Sequence, residues 1–374
     1  MEDAYVIIAS QDYDKANHKL LWWQLAKQTR QPVVVVDIPA DYIVSVLAHH
    51  KDRICEAKQG PRKITENLTV VRPLFLARPE ILPDWMFPMV SKKLWSCLNG
   101  TIEDLNKYRV NFLIYDARWV KILNHTRENI RIAYYLFDEV RYNGKDATID
   151  KKRFVFDEYA CKFSNIVFAM TSVLAESRKN LNSNIVVLGN GAEVPDINSI
   201  PKRKIENSVG FVGNFRDWID EELLETIIQS MPELLFVFAG PVEDNMKAFL
   251  KALLDIYPNT MYFGCCHKED MGMLYRMLNC VIIPYKINEF IMATRPIKIV
   301  ESVFAGTPVV TVPIDGYSEC EFIHFARTKE EFSSQIKHAI HNPIDKESKE
   351  YQTFLTDNSW NTKAKDIIYR FSIL

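Results

Sequence analysis

The sequence of 374 residues contains no apolar run that approaches the roughly 20 residues a membrane-spanning helix needs. Its first four residues lack the basic segment of a signal peptide, and the apolar stretch at residues 4–10 is too short for the central segment of one. Lys and Arg number 46 against 48 Asp and Glu, so the basic excess typical of nucleic-acid binders is missing. These absences predict a cytoplasmic protein without a nucleic-acid partner.

Disulfides and a zinc site are also not indicated. The seven cysteines are odd in number and lack framework spacing, which predicts reduced thiols. Cys265 and Cys266 are adjacent without a second pair, so buried thiols are a better interpretation than a zinc site. The glycine turn at residues 210–213 is not G-x-G-x-x-G and gives no dinucleotide fingerprint. We expect no metal and no other cofactor.

Short apolar runs alternate with helical patterns along the chain. They lie at residues 6–9, 33–36, 68–72, 111–115, 130–137, 166–170, 209–212, 234–239, 281–283 and 309–312. Continuous Val- and Ile-rich runs between helices are typical of parallel sheets buried on both faces. The length favours two domains, and residues 195–207, rich in Pro, Lys and Asn, indicate the linker. The prediction is an α/β protein of two Rossmann-like domains.

Residues 295–312 form the stretch with the most chemical content. They indicate a loop, a short amphipathic helix that ends at a glycine, and a buried strand. Lys298 and Glu301 lie three residues apart on one face of the first helical turn. A helix N-terminus beside a lysine can hold a phosphate, and a glutamate can accept hydrogen bonds from a sugar diol. This pattern predicts a nucleotide-sugar site, with an ordinary amphipathic helix as the alternative.

A second stretch combines aromatic and basic side chains. It includes Trp85, Phe87, Lys92, Lys93 and Trp95. Aromatic rings at headgroup level and lysines beside anionic lipid are typical of a segment that lies on a bilayer. The alternative is a helix that packs on its own sheet.

Residues 296–310 resemble the P-x-K-x-x-E signature, followed by A-G-x-P-V-V, of bacterial glycosyltransferases of the GT-B architecture. Residues 134–139, 189–193, 212–220 and 261–264 resemble further passages of the same group, which includes teichuronic acid and capsule-type glycosyltransferases. Tyr135 stands where the group has the first Asp of Y-D-x-x-D, and Glu193 replaces the Asp of its N-G-V-D turn. Ala293 stands where many relatives have a first Glu, and Glu289 is a loose substitute.

The resemblance implies two Rossmann-like domains that face each other across a cleft. Residues 1–195 would bind the acceptor, residues 208–355 would bind the donor, and a C-terminal helix at 356–374 would cross back to the first domain. The implied activity is that of a hexosyltransferase that uses a nucleotide sugar, most often UDP-linked, and needs no metal. Its acceptor would be a lipid-linked or growing surface glycan of the capsule or cell envelope, which places the protein peripherally on the inner face of the cell membrane.

The resemblance also implies a set of donor-binding residues. These are Arg216, Asn214, Tyr262, Tyr285, Arg295, Lys298 and Glu301. Arg216 would bind diphosphate as a charged fork, with an ordinary surface arginine as the alternative. Tyr285 would stack on a base or line the cleft, with a core position as the alternative.

Three carboxylates are candidates for the general base that an inverting enzyme needs. Asp138 follows the strand pattern at residues 130–137, and Asp12 and Asp14 follow the first strand, so all three fall at the carboxyl ends of strands where ligands bind. Asp138 and Asp12 are also candidate helix caps. Asp12-Tyr13-Asp14 fits, in addition, the D-x-D pattern of metal-dependent glycosyltransferases of the other common architecture.

Two other functions fit the same frame. A nucleotide-sugar epimerase of GT-B shape would act without an acceptor and would need more acid-base side chains near the donor. A non-catalytic glycan- or nucleotide-binding protein would keep Lys298 and Glu301 without turnover.

Overall fold

A computed structural model describes residues 2–41, 51–75, 77, 82–123, 129–143, 148–193, 204–267, 270–292 and 294–374. Residues 195–203 of the predicted linker, Ala293 and the side chain of Glu289 lie outside this description. The chain forms two compact units, Met1–Leu188 with Trp360–Leu374, and Gly189–Ser359. Each unit contains a parallel sheet flanked by helices, so the predicted α/β class is confirmed.

The first unit is built on an eight-stranded sheet. Its order is β12-β11-β8-β7-β1-β2-β5-β4, parallel except for β4, which pairs antiparallel with β5. The strands are β1 Glu2–Ile8, β2 Val33–Val36, β4 Arg62–Lys63, β5 Leu68–Val71, β7 Tyr108–Ile114, β8 Ile130–Leu136, β11 Ile166–Ala169 and β12 Ile185–Val187, and the minor pairs are β3 Ala40–Asp41 with β6 Leu74–Phe75 and β9 Tyr142–Asn143 with β10 Thr148–Ile149. The central strands are Val-, Ile- and Leu-rich and buried on both faces, as a sheet covered by helices requires.

Helices cover this sheet. They are α1 Lys19–Gln28, α2 Lys51–Gln59, α3 Phe87–Asn99, α4 Arg118–Leu123, α5 Lys151–Phe163, α6 Ser172–Glu176 and, from the end of the chain, α14 Trp360–Ser372. The last helix packs against α1, and Trp360 is fully buried there. Helix α6 ends at Glu176; the chain then turns, and the side chain of Arg178 is buried in the interior.

The second unit is built on a six-stranded, wholly parallel sheet. Its order is β15-β14-β13-β16-β17-β18. The strands are β13 Ser208–Val212, β14 Leu235–Ala239, β15 Thr260–Tyr262, β16 Cys280–Ile283, β17 Val309–Thr311 and β18 Ile323–Phe325. The helices are α7 Glu221–Ser230, α8 Lys247–Ile256, α9 Met271–Met277, α10 Glu289–Met292, α11 Ile297–Phe304, α12 Lys329–His341 and α13 Lys349–Asp357. One apolar core of aliphatic and aromatic side chains fills the space between sheet and helices.

Candidate functional site

The strand order of the second unit defines where a ligand can bind. The chain runs outward from β13 to β14 and β15 on one side, and from β16 to β17 and β18 on the other. The connections therefore leave β13 and β16 in opposite directions and open a crevice at their carboxyl ends, the usual ligand site of such sheets. The turn after β13 and the start of α11, which follows β16 along the chain, both carry predicted donor-binding residues.

Gly213 and Lys298 meet at this crevice. Gly213 directly follows β13 with φ +146°, a conformation that L side chains rarely adopt. A Cβ built on Gly213 would lie 2.3 Å from Lys298 Nζ, so the ammonium occupies the space that the missing side chain leaves. Asn214 is exposed next to it. A glycine turn with a lysine above it leaves backbone and positive charge open to an anionic ligand.

Three aromatic residues, Tyr275, Tyr285 and Phe211, contact Lys298 or Glu301. Lys298 Nζ donates to the Tyr285 hydroxyl at 2.7 Å and lies 4.6 Å from the centre of the Phe211 ring. The Tyr275 hydroxyl donates to Glu301 Oε2 at 3.4 Å, and burial, followed by the charge of Glu301, raises the pKa of Tyr275 well above 10.0. These contacts hold the lysine and the glutamate on the face that the three-residue spacing predicted.

The predicted role of Tyr285 in stacking on a base is wrong. Its side chain is only 5% exposed, because the ring packs against Phe211 and Trp218 in the core. Only its hydroxyl takes part in the site, through Lys298.

Arg216 lies in the loop after Gly213, where it has local partners. Its Nε is 2.7 Å from Glu243 Oε1, and its guanidinium lies 4.2 Å from the centre of the Trp218 ring. Together these contacts hold the guanidinium over the indole ring. Part of its charge is compensated by Glu243, so binding of a diphosphate requires exchange of this half-exposed partner.

Arg295 and Tyr262 lie in settings that their spacing did not reveal. The Arg295 guanidinium lies 4.6 Å from the centre of the Tyr317 ring and donates to Asn358 Oδ1 at 3.0 Å, which ties the start of α11 to the end of α13. Tyr262 ends the edge strand β15, and its hydroxyl donates to the Gly240 carbonyl at 2.8 Å. The neighbouring Phe263, which sequence reasoning missed, is 49% exposed and offers a free ring face at the same edge.

In the first unit, two of the three candidate bases are held by arginines. Arg72 donates to Asp12 Oδ1 at 2.7 Å and to Asp37 Oδ2 at 2.7 Å. Arg62 donates to Asp14 Oδ2 at 2.9 Å. The two carboxylates of the D-x-D pattern therefore bind different arginines. The predicted cap role of Asp12 is wrong, because its side chain makes no capping hydrogen bond to the short turn that follows.

Asp138 has a different environment. It follows β8, accepts the Glu139 backbone N–H at 2.9 Å, and forms no ion pair with any other residue that the structure describes. Burial, and to a lesser degree the charge of Glu139, raises the pKa of Asp138 from 3.8. A carboxylate with a raised pKa and no cationic partner is the expected form of a general base.

A buried ion network lies directly behind Asp138. Arg178, fully buried, donates to both oxygens of Glu139 at 2.7 Å and to Asp157 Oδ2 at 3.1 Å. Burial opposes the charge of Glu139, but hydrogen bonds from Arg141 and Arg178 lower its pKa from 4.5 to about 2. Tyr134, which matches the Tyr of the Y-D-x-x-D segment, is buried and donates to Asp157 Oδ1 at 2.9 Å in this network.

Aromatic rings form the floor of the same sheet edge. Tyr115 directly follows β7, and Tyr135 is the penultimate residue of β8; their rings stack with centroids 4.5 Å apart. The centre of the His18 ring lies 5.2 Å from that of Tyr135 and 6.3 Å from that of Phe137. His18 therefore packs on the residue that directly precedes Asp138 in the sequence. Sequence reasoning missed His18; its position after β1, the central strand, is the only signal that indicated it.

The structure also divides the aromatic and basic stretch. Phe87 and Trp95 are 5% and 8% exposed and pack into the first unit, so their predicted contact with a membrane is wrong. Trp85, Lys92 and Lys93 are exposed. Helix α3 therefore packs on its own sheet with one face and presents the other to solvent.

Comparison with known proteins adds to this geometry. Residues 206–342 match the family model described as glycosyl transferases group 1. This matched segment lies within the second unit and contains the Gly213 turn, Arg216, Lys298 and Glu301; we refer to it below as the group 1 domain. TuaH of Bacillus subtilis (strain 168), named for a glycosyltransferase role in teichuronic acid biosynthesis, is 25% identical over 113 residues, which are 30% of this chain and 28% of TuaH.

Solved structures match over the whole chain. HepE of Anabaena in complex with UDP and glucose has a TM-score of 0.63 at 13% identity and covers 99% of this chain and 100% of its own. Sucrose-phosphate synthase of Thermosynechococcus elongatus has a TM-score of 0.68 at 12% identity, with 100% and 99% coverage. The fold of the chain is thus that of GT-B glycosyltransferases, as predicted.

Two kinds of feature are missing from the described part of the chain. None of its helices has both the length and the apolar character of a membrane span. No group of three or more His, Cys, Asp or Glu side chains in the same residues is placed to hold a metal ion.

Proposed function

We propose that this protein transfers a hexosyl group from a UDP-sugar to a lipid-linked or growing surface glycan, without a metal. The observation that carries the proposal is Lys298 Nζ held over the bare Gly213 turn at the switch point of the group 1 domain. HepE, a structural relative, binds UDP and glucose, and the trehalose-6-phosphate structure from E. coli contains a UDP-2-fluoro-glucose. TuaH, through its name, supports an acceptor of the cell-envelope type.

The chemistry follows from charge. Transfer passes through an oxocarbenium-like state while negative charge gathers on the departing diphosphate. Lys298 and the free N–H groups at the start of α11 would stabilise that charge, and Arg216 would join them by exchanging Glu243 for phosphate. Glu301 would accept hydrogen bonds from a sugar hydroxyl.

The acceptor side depends on stereochemistry. For an inverting reaction we assign Asp138 as the general base. Burial raises its pKa and, unlike Asp12 and Asp14, it pairs with no arginine among the described residues. A retaining reaction would need no such base. The nucleotide, the acceptor and the independence from metal are parts of the proposal.

The test is calorimetric titration of UDP, with ADP and GDP as rivals, at fixed salt and with and without EDTA. We expect UDP to bind equally in both buffers. Lys298→Ala should lose about 1.5–3 kcal/mol, the usual contribution of a hydrogen bond to a charged group, which is roughly a 10- to 150-fold weaker affinity.

Lys337→Ala is the matched control, because Lys337 is an exposed lysine on α12 of the same unit and should leave affinity unchanged. Absence of binding by every nucleotide, or equal binding by both variants, would refute the proposed donor site. Conversion of the sugar of a bound UDP-sugar into another sugar, without any acceptor, would identify an epimerase. Binding without turnover on any acceptor would identify a binding protein.

A further inference from the structure

Two exposed patches on the first unit share one chemistry. The first patch begins at Trp85, which is 75% exposed, and continues on α3 with Met89, which is 64% exposed. Lys92 and Lys93 follow on the same side of the helix, because residues three and four apart lie on one face. A large exposed tryptophan followed by an exposed methionine and two lysines is unusual on a helix whose opposite face is well packed.

The second patch lies on α5. Val155 and Phe163 are exposed and Tyr159 lies between them at four-residue spacing, so the three form one stripe. The Tyr159 and Phe163 rings are 4.3 Å apart, and Lys162 Nζ lies 5.7 Å from the centre of the Phe163 ring.

Lys121 of α4 joins the two patches into one surface. Helix α4 packs between α3 and α5. Lys121 forms an ion pair with Asp84, the neighbour of Trp85, and its Nζ lies 5.6 Å from the centre of the Tyr159 ring. We call the exposed side chains of the turn Asp84–Met86, α3 and α5 the basic-aromatic face.

The face carries positive charge in a chain whose net charge is −2. Helix α3 contributes two lysines and no acidic residue, and α5 contributes four basic residues, Lys151, Lys152, Arg153 and Lys162. Of the two acidic residues of α5, Asp157 is buried against Arg178, which leaves Glu158 at the surface. Asp84 is paired with Lys121.

We propose that the basic-aromatic face docks on the surface of an anionic lipid bilayer. Indole and phenol rings suit the headgroup level, methionine and valine enter the acyl boundary, and lysines meet anionic headgroups. A nucleic acid would find use for the charges but not for the exposed Met89 and Val155. The proposal goes beyond sugar transfer and does not depend on it.

The experiment is flotation of the full chain with vesicles. We expect the protein to float with vesicles that contain about one third phosphatidylglycerol, and to remain unbound with pure phosphatidylcholine or at high salt. Lys92→Glu with Lys93→Glu should weaken partitioning by at least about 25-fold, taking about fivefold for each basic residue lost and a further loss from repulsion between the new carboxylates and anionic lipid. Trp85→Ala should weaken it by about tenfold, because the ring no longer leaves water.

Matched variants lie in the second unit. Lys337→Glu with Lys349→Glu changes charge equally, and Ile256→Ala removes an exposed apolar side chain; both should partition as wild type. Thermal unfolding verifies that every variant is folded. No flotation, equal flotation of the lysine pairs, or self-association that disappears in Trp85→Ala would overturn the proposal. Preference for RNA over anionic vesicles would do the same.

Discussion

At the carboxyl edge of the second unit's sheet, a lysine lies over a bare glycine turn, whereas at the same edge of the first unit's sheet carboxylates lie among arginines and aromatic rings. In the second unit, Gly213 leaves open the space that a side chain would fill, and Lys298 places its positive charge in that space. Asp138 adjoins Glu139, which Arg178 fixes from within the core. The contrast is between an edge suited to a phosphate that comes and goes and an edge suited to keeping a carboxylate in place.

The largest effect should come from a substitution at the carboxyl edge of the first unit's sheet. Asp138→Asn keeps shape and removes the basic oxygen, so turnover should fall by about 100- to 10,000-fold for an inverting enzyme. Affinity for UDP should stay at the wild-type value, which separates chemistry from donor binding. Unchanged turnover would remove Asp138 from the mechanism and favour a retaining reaction.

The pH profile of the wild-type enzyme sharpens the same test. Because burial raises the pKa of Asp138 and the base acts when deprotonated, kcat/KM should fall as pH drops through a pKa above 3.8. Asp138→Asn should lose this acid limb.

The next effect tests whether buried charge holds the first edge. Arg178→Met leaves Asp157 without its cation and Glu139 with Arg141 alone, which should cost about 3–5 kcal/mol in the free energy of unfolding of the first unit. Urea unfolding measures it, and the transition of the second unit should not move. Arg153→Met, at an exposed position of α5, should change stability by less than about 0.5 kcal/mol. A mild Arg178→Met would show that the network can relax.

Acid unfolding gives the sign of the same network. The folded pKa of Glu139 lies below its ordinary 4.5, so its stabilisation is present above that pH and is lost as pH falls towards about 2. Burial raises the pKa of Asp157, and that carboxyl contributes in the opposite sense. Glu139→Gln should therefore flatten the loss of stability between pH 4.5 and pH 2.

The smallest effect should come from a substitution at the carboxyl edge of the second unit's sheet. Tyr285→Phe removes the hydroxyl that accepts from Lys298 Nζ at 2.7 Å. UDP affinity should weaken by about 0.5–1.5 kcal/mol, up to roughly tenfold, because the lysine loses an orienting partner. Tyr257→Phe, which removes a hydroxyl bonded to Glu225 in the same unit, should bind as wild type. A gain in affinity would mean that Tyr285 competes with the donor for the lysine.

The carboxyl edge of the second unit's sheet was predictable from sequence because its parts are local. The strand-to-glycine turn at Gly213 and the pair Lys298 and Glu301 each lie within a few residues, where periodicity and turn chemistry apply. Long-range packing set the rest. Spacing alone did not show that Tyr285 would turn into the core or that Arg216 would lie on Trp218 beside Glu243.

The carboxyl edge of the first unit's sheet was less predictable for a physical reason. His18, Tyr115, Tyr135 and Phe137 come from three separate stretches that meet only because β1, β7 and β8 are neighbours in the sheet. The prediction for α3 was wrong for a different reason. Phe87 and Trp95 are residue types typical of a membrane-interface helix, but they lie on the buried face of α3. Composition indicated the property, and only the helix phase determined which residues carry it.

Helix α14 bears on the order of events during synthesis. Its residues Trp360 and Phe371 are buried in the first unit, and the Phe371 ring meets Tyr5 edge-on at 5.9 Å. During synthesis the whole group 1 domain therefore leaves the ribosome before α14, the helix that completes the first unit. The second unit has all its strands in one continuous segment and can fold as soon as it is made, whereas α1 of the first unit lacks its packing partner until residues 360–372 have been made.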